Sequence, residues 1–416
     1  MRFLATLVLV VLWVSRAAAQ SCPADTSGDL QVTVDELVRL INASLDGCPP
    51  RFVDNGDGTV TDNWNGLMWE KKSGGPDIFN VNSDFTWTDA TDGDLSNADG
   101  TLFTRFVAAL PLEAIGGYTD WRLPTITELQ ALADYRTMRP AIGPIFHTNC
   151  HPACDRTECA CTYLDSWYWS ATTDVESAMS VWSVSTKDGS ISSGFKTGVW
   201  RARAVRGRPP AAHPWGAPAP RCPGDGNGDE RVTIDEIVRA VTASLDGCPP
   251  RFVDNDDGTI RDNWTGLLWE KKGMAPGIHA VTATYAWTDL GDGDPNNADG
   301  TVFTDFLATL NRQGFAGHRD WRLPTVEELR GVLDYGRRNP SVDAAFDAEC
   351  RVGCDTTACS CTYNGAYWSA TAAAQDASNA WAVYFSHGSL GADRKTRAFR
   401  VRAVRGAPTP DGSNGM

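Results

Sequence analysis

The sequence predicts an α+β protein made of two tandem copies of one unit. Three observations predict it. The 416-residue chain matches itself at a spacing of 200: ASLDGCPPRFVDN occurs at 43–55 and 243–255, and DWRLPT at 120–125 and 320–325. Within each copy, runs that alternate apolar and polar residues read as strands, and a few capped or periodic runs read as short helices. All twelve cysteines recur between the copies, at 22, 48, 150, 154, 159 and 161 and again at 222, 248, 350, 354, 359 and 361.

Each copy spans about 185 residues, longer than solenoid periods, so this is a duplicated domain and not a stacked repeat. A one-residue loss after Tyr163 shifts the match, and Arg201–Gly207 pairs with Arg400–Gly406. Hydrophobic content of 42% and charged content of 21% are globular values. The formal charge of −15 argues against nucleic-acid and anionic-membrane partners and favours cation binding.

Taken in order, residues 1–19 read as a signal peptide. Arg2 supplies the charge, Phe3 to Val14 an apolar run too short to span a bilayer, and Ala17-Ala18-Ala19 a cleavage site. Cleavage after Ala19 is expected, which places the protein in the secreted class, extracellular or periplasmic. No later run approaches 18 apolar residues, so no membrane insertion is expected.

Residues 22–48 and 222–248 form a small loop–helix unit. In the second, Asp225, Asn227, Asp229, Thr233 and Glu236 put oxygen side chains at loop positions 1, 3, 5, 9 and 12, and Arg231 offers its carbonyl at position 7. The same places in the first are Asp25, Ser27, Asp29, Gln31, Thr33 and Glu36. Hard oxygens at that spacing suit Ca²⁺. The loops resemble EF-hand and dockerin-type calcium loops, without the position-6 Gly (Leu30 and Glu230 stand there) and without a preceding helix. A helix should follow, burying Leu37, Val38, Ile41 and Leu45 on one face. Dockerins set two such units side by side; here they lie 200 residues apart in sequence, which argues against a cohesin partner.

Residues 51–206 and 251–405 form the larger body, joined to the small unit by Cys-Pro-Pro. FVDNGDGTVTDNWNGLMWEK reads as a hairpin around Gly-Asp-Gly. Asp92, Asp94, Asn97 and Asp99, matched by Asp292, Asp294, Asn297 and Asp299, form a second acidic run, read as a solvated loop with a cation site as the sharper alternative. Thr104–Leu110 and Thr304–Leu310 look helical. Thr125 with Glu128, and Thr325 with Glu328, form capping boxes ahead of Leu129, Leu132 and Tyr135. The remainder reads as several strands. Residues 207–221 are a Pro/Ala-rich linker and 406–416 a disordered tail.

Six cysteines per copy in an exported chain predict disulfides closed within each copy. Cys150, Cys154, Cys159 and Cys161 allow three pairings. The spacing C-x3-C-x4-C-x-C differs from structural zinc knuckles, and His147 and His151 give way to Asp347 and Arg351 in the second copy.

The succession FVDNGDGTVTDNWNGLMWEK, DWRLPTITEL, YWSATT, VWSV and RARAVRG, with its second-copy counterpart, resembles the Lcl C-terminal domain family of bacterial surface and secreted domains. That resemblance implies a C-type-lectin-like fold, here two such domains each with an EF-hand-like unit at its N-terminus. In the named member it implies adhesion to sulfated glycosaminoglycans. The WRLPT-x-x-E-L stretch is also similar to the formylglycine-generating enzyme family.

The function expected first is therefore non-catalytic binding or adhesion, to a glycan or a cell-surface protein, with calcium as a structural ion. Two linked sites would gain avidity. The alternatives are an enzyme of the formylglycine-generating type and a purely structural envelope protein. Against the enzyme, the six histidines share no matching position, and Ser170 and Ser369 have no recurrent His beside them. Asp120, Glu128 and Asp134 recur, but at capping and loop positions.

Overall fold

The computed structural model describes residues 34–46, 50–207, 232, 234–246 and 250–406, save 292 and 375. The segment expected to be a signal peptide, most of the expected linker and tail, and Cys22, Cys48, Cys222 and Cys248 lie outside the described residues.

Among the described residues, each copy opens on a helix, in the first α1 (Val34–Asp46). A three-stranded meander follows: β1 (Phe52–Asp54), β2 (Thr59–Asp62) and β3 (Leu67–Glu70), so the Gly-Asp-Gly hairpin extends by one strand. After the short β4 (Phe85–Thr86) a π-helical stretch, Leu102–Val107, runs directly into α2 (Ala108–Glu113). The capped helix α3 (Ile126–Gln130) has both halves of its capping box formed, Thr125 with Glu128. It is shorter than its apolar spacing suggests: Leu132 and Tyr135 are buried, but from the turns beyond it. Then come β5 (Trp167–Asp174), β6 (Ser177–Ser185), β7 (Ile191–Phe195), β8 (Val199–Trp200) and β9 (Val205–Arg206).

The second copy repeats the series. It has α4 (Ile234–Asp246), β10 (Phe252–Asp254), β11 (Thr259–Asp262), β12 (Leu268–Glu270) and β13 (Tyr285–Ala286). It continues with α5 (Ala308–Gln313), α6 (Val326–Arg330), β14 (Ala366–Ala372), β15 (Asn379–Tyr384), β16 (Ser389–Arg394), β17 (Ala398–Phe399) and β18 (Val404–Arg405). Helix and antiparallel strand are mixed throughout, which is the α+β class.

In each copy the last strand closes the meander, giving the orders β1-β2-β3-β9 and β10-β11-β12-β18. The longer strands do not stay within a copy. They form one six-stranded sheet, β14-β15-β16-β7-β6-β5, in which β7 meets β16 at Ile191↔Leu390. These two residues occupy equivalent places in the two copies, so a pseudo-twofold axis passes between them.

The core follows the sheet across that axis: one cluster joins Ile126, Leu129, Tyr135, Trp182 and Ile191 to Val326, Leu329, Tyr335, Trp381 and Leu390. Tyr135 packs edge-on to Trp381 and Tyr335 edge-on to Trp182, both with ring centroids 4.9 Å apart. Gln130 Nε2 donates to the Tyr335 hydroxyl, and Arg330 Nη1 to the Gln130 carbonyl at 3.1 Å. Arg338 pairs with the buried Asp174 of the first copy. A second apolar cluster stays within each copy, around Trp169 in one and Trp368 in the other.

Helix α1 packs against α4. The face expected to be buried is not the one that is: Leu40 is fully buried, while Val38, Ile41 and Leu45 are exposed. The burying partner is the other copy's helix, where Ala240 and Glu236 are also buried.

Candidate functional site

Of the residues expected to hold calcium, Asp25, Ser27, Asp29, Gln31, Thr33, Asp225, Asn227, Asp229, Arg231 and Thr233 lie outside the described residues. Glu36 falls in the first turn of α1, and Glu236 in the first turn of α4 with a buried side chain. Those helices pack together despite 200 residues of sequence between them.

The second acidic run has a cation of its own. Asp99 Oδ1 accepts from the Asp89 amide at 2.6 Å, Asn97 Nδ2 donates to Asp92 Oδ2 at 2.9 Å, and Asp94 Oδ1 accepts from Ser96. Lys196 reaches in from the turn after β7, and its ammonium donates to the Ser96 carbonyl at 2.7 Å beneath Trp87. Lys395 does the same in the second copy, 2.9 Å from the Asn296 carbonyl and 4.0 Å from the Trp287 ring centre. Burial lowers the pKa of both lysines, with Asp94 and Asp294 opposing. A buried ammonium thus fixes each loop.

The cysteine clusters pair as Cys150–Cys161 and Cys154–Cys159, and as Cys350–Cys361 and Cys354–Cys359, all within their own copy. Their sulfurs lie close together, but bonded sulfur is no thiolate ligand. His147 is explained without zinc. Its Nδ1 accepts from the Thr162 amide at 3.3 Å, and Asp347 Oδ1 accepts from the Thr362 amide at the same distance.

A buried arginine ties each cluster to the sheets. Arg203 donates to the carbonyls of Glu70 (2.7 Å) and Cys161 (2.9 Å), and Arg402 repeats the pattern on Glu270 and Cys361. Glu70 in turn holds Lys72 at 2.8 Å and accepts from the Ala204 amide. The recurrence of RARAV and RVRAV was the signal for this anchor, hidden because an arginine in an alternating run reads as solvent-facing.

The outer face of the shared sheet is where the copies differ. Register places Trp167 beside Ser185, and Trp169 beside Ser183 and Ser192, on one face. Trp169 is fully buried, and Trp200 lies on it with centroids 4.1 Å apart and planes tilted by 34°. Trp167 and Trp200 are half-buried neighbours, 6.1 Å apart. A β-carbon on Gly194 would fall 2.3 Å from Trp200 Cη2, so glycine is what lets the indole lie flat across β7. In the second copy the matching residues are Ala366 for Trp167, Tyr384 for Ser185, Asp393 for Gly194 and Phe399 for Trp200. There the Tyr384 hydroxyl bonds Asp393, which also pairs with Arg397 at 2.6 Å.

This arrangement of meander, capped helix, cysteine cluster and closing arginine strand matches the model of the Lcl C-terminal domain twice, at residues 58–206 and 258–405. The chain belongs to the Lcl C-terminal domain family. No curated protein and no solved structure matches it.

In both Lcl C-terminal domains the recurring carboxylates have structural partners. Glu128 caps α3 and receives both Nη atoms of Arg122 (2.9 and 2.7 Å), and Glu328 repeats this with Arg322. Asp120 pairs with Arg206 at 2.7 Å and Asp134 with Arg136 at 3.0 Å. Ser170 is buried and donates to the Trp182 carbonyl. Three histidines belong to the second domain alone, and two of them, His279 and His387, have polar partners. His279 Nδ1 lies 2.8 Å from Glu270 Oε1, where the first domain has Phe79. His387 stands between Ser386 (2.5 Å) and Ser389 (2.6 Å), its pKa lowered by burial and then by Arg338.

Proposed function

We propose that the protein is an exported, non-catalytic binding protein that engages a glycan or a cell-surface protein. In this reading each Lcl C-terminal domain has a C-type-lectin-like fold, and calcium sits as a structural ion in the two loop–helix units. The observation that carries it is the disposition of polar groups. Shared carboxylates, lysines and arginines are committed to caps, ion pairs and loop closure, whereas aromatic surface stands on the sheet's outer face. The eight described cysteines are all disulfide-bonded, so the thiolate that formylglycine-type chemistry requires has no source among them. Disulfides also stiffen the surface loops and lower the ordering cost of binding.

The test is binding of the full exported chain to a glycan array and to whole cells, with and without a chelator. Saturable binding without turnover of any arrayed compound is the expected result. Hydrolysis or modification of an arrayed compound, or no binding to array or cells, would overturn the proposal.

A further inference from the structure

We infer that the first domain's outer sheet face, and not the second's, is a binding site for a neutral glycan, with Trp167 and Trp200 as its platform; this rests on the binding reading above. The two indoles are tilted by 37° to one another, and both keep part of their surface open to solvent. Trp200 cannot sink further, because Trp169 backs it at 4.1 Å. Trp169 is itself fixed by an Nε1 hydrogen bond to the Phe85 carbonyl at 2.8 Å. A rigid, half-exposed aromatic pair loses little entropy when a ligand covers it.

The chemistry of the surroundings selects the ligand. A pyranose ring presents weakly positive C–H groups on its flat faces, which suit the negative face of an indole, and hydroxyls around its edge. Ser192 is half-exposed on the strand face that carries the rings, beside the more buried Ser183 and Ser185, and Ser190 is half-exposed just before β7. They are the uncharged donors and acceptors such an edge needs. Neighbouring ions are already paired. Arg201 holds Asp84 at 3.1 Å and stacks on Tyr163 at 4.4 Å, and Lys196 is bound to the Ser96 carbonyl. With a chain charge of −15, this face suits an uncharged chain and disfavours a sulfated one.

The second domain keeps one ring on its buried indole, Phe399 on Trp368 at 4.5 Å, but not the paired platform. Ala366 removes one ring, Asp393 puts a carboxylate where Gly194 allows the indole to lie flat, and Tyr384 spends its hydroxyl on that carboxylate and stacks on His387. The domain pair thus repeats its Tyr–Trp contacts at the seam and differs on its outer face.

The experiment titrates the full chain with neutral oligosaccharides (β-glucan, mannan and chitin fragments) and with heparin, following tryptophan fluorescence and array retention. Trp167→Ala and Trp200→Ala should each weaken neutral-glycan binding about tenfold or more. Gly194→Asp should do the same, and Tyr384→Ala in the second domain should leave it unchanged. Trp167→Phe, a smaller perturbation of the fold, should retain part of the affinity. Thermal melts identify any variant that fails to fold. Neutral-glycan binding unaffected in folded Trp167→Ala and Trp200→Ala would overturn the site while leaving the binding function standing. Retention of heparin alone would overturn the ligand class. Absence of any binding would remove both proposals.

Discussion

The seam between the domains makes the sharpest demand on experiment. Tyr335 is buried, its ring packs 4.9 Å from Trp182 of the other domain, and its hydroxyl receives Gln130. Truncating a buried aromatic to alanine costs about 3–5 kcal/mol. Tyr335→Phe keeps the ring but strips the Gln130 side chain of this partner, at about 1–3 kcal/mol. Because the ring serves both domains, the cost should fall on both, and Tyr335→Ala should move a single cooperative transition. The assay is denaturant unfolding followed by far-ultraviolet circular dichroism and tryptophan emission, with a protease site placed in the 207–221 linker. After cleavage the halves should co-elute as one particle. An isolated first domain, residues 20–207, should pair with itself, since Ile191 sits at the pseudo-twofold axis and the patch is self-complementary. Halves that separate on cleavage would refute the reasoning. So would wild-type unfolding in two steps of which Tyr335→Ala shifts only one.

Further outcomes follow from buried charges and from the loop–helix units. Asp62 is fully buried between Arg51, at 3.0 Å, and the Trp64 amide, at 3.1 Å, so Asp62→Ala should destabilise by about 3–5 kcal/mol in urea titration. Burial pushes the Lys72 ammonium down to about 8, against the attraction of Glu70. Since its folded pKa lies below its unfolded one, the cost of burying the charge is full below pH about 8 and is relieved as pH rises toward the unfolded value. Wild type should therefore gain stability over Lys72→Met by at most about 1.4 kcal/mol per pH unit in that window, and a constant difference would count against it. Calcium titrated calorimetrically into wild type should bind in the extracellular range, about 10⁻⁴–10⁻³ M, and Glu236→Ala should lose one site's heat; equal heats would remove Glu236 as a ligand.

Much of the local structure was legible because it is written in short-range chemistry. Thr125 with Glu128 and Thr325 with Glu328 set two helix starts to the residue. The cysteine clusters announced staples, though only geometry chose Cys150–Cys161 over the other pairings. The seam was not legible. Tyr135, Trp182 and Ile191 recur in the second copy as Tyr335, Trp381 and Leu390, which marks them as core but says nothing about whose core. A residue buried against its own domain and one buried against a twin carry the same pattern. The same limit hid the burial of α1, whose Leu40 side faces α4 and whose wider apolar stripe does not. The outer-face platform left a trace only in the mismatch between copies, where Gly194 and Trp200 stand against Asp393 and Phe399.

Those mismatches come in compensating pairs. Trp167 opposite Ser185 becomes Ala366 opposite Tyr384, so the large side chain moves to the neighbouring strand and the cross-strand volume is roughly kept. Trp200 over Gly194 becomes Phe399 near Asp393, a smaller ring where the strand beneath carries a side chain. At the seam the Tyr–Trp contact is made twice with the same residue types and the same 4.9 Å spacing, although Gln130 faces Arg330 and the Asp174–Arg338 pair has Ala373 and Met138 at the equivalent places. A homodimer makes every seam contact twice with one surface, whereas these copies keep the Tyr–Trp contacts twice and add Asp174–Arg338 once. The outer face diverges further, at Trp167, Ser185, Gly194 and Trp200. In a homodimer a substitution there would appear twice, whereas a fused pair can alter one domain alone. Covalent duplication thus separates two jobs that a symmetric dimer must do with one surface. The seam holds the particle together, and each outer face is free to carry its own chemistry.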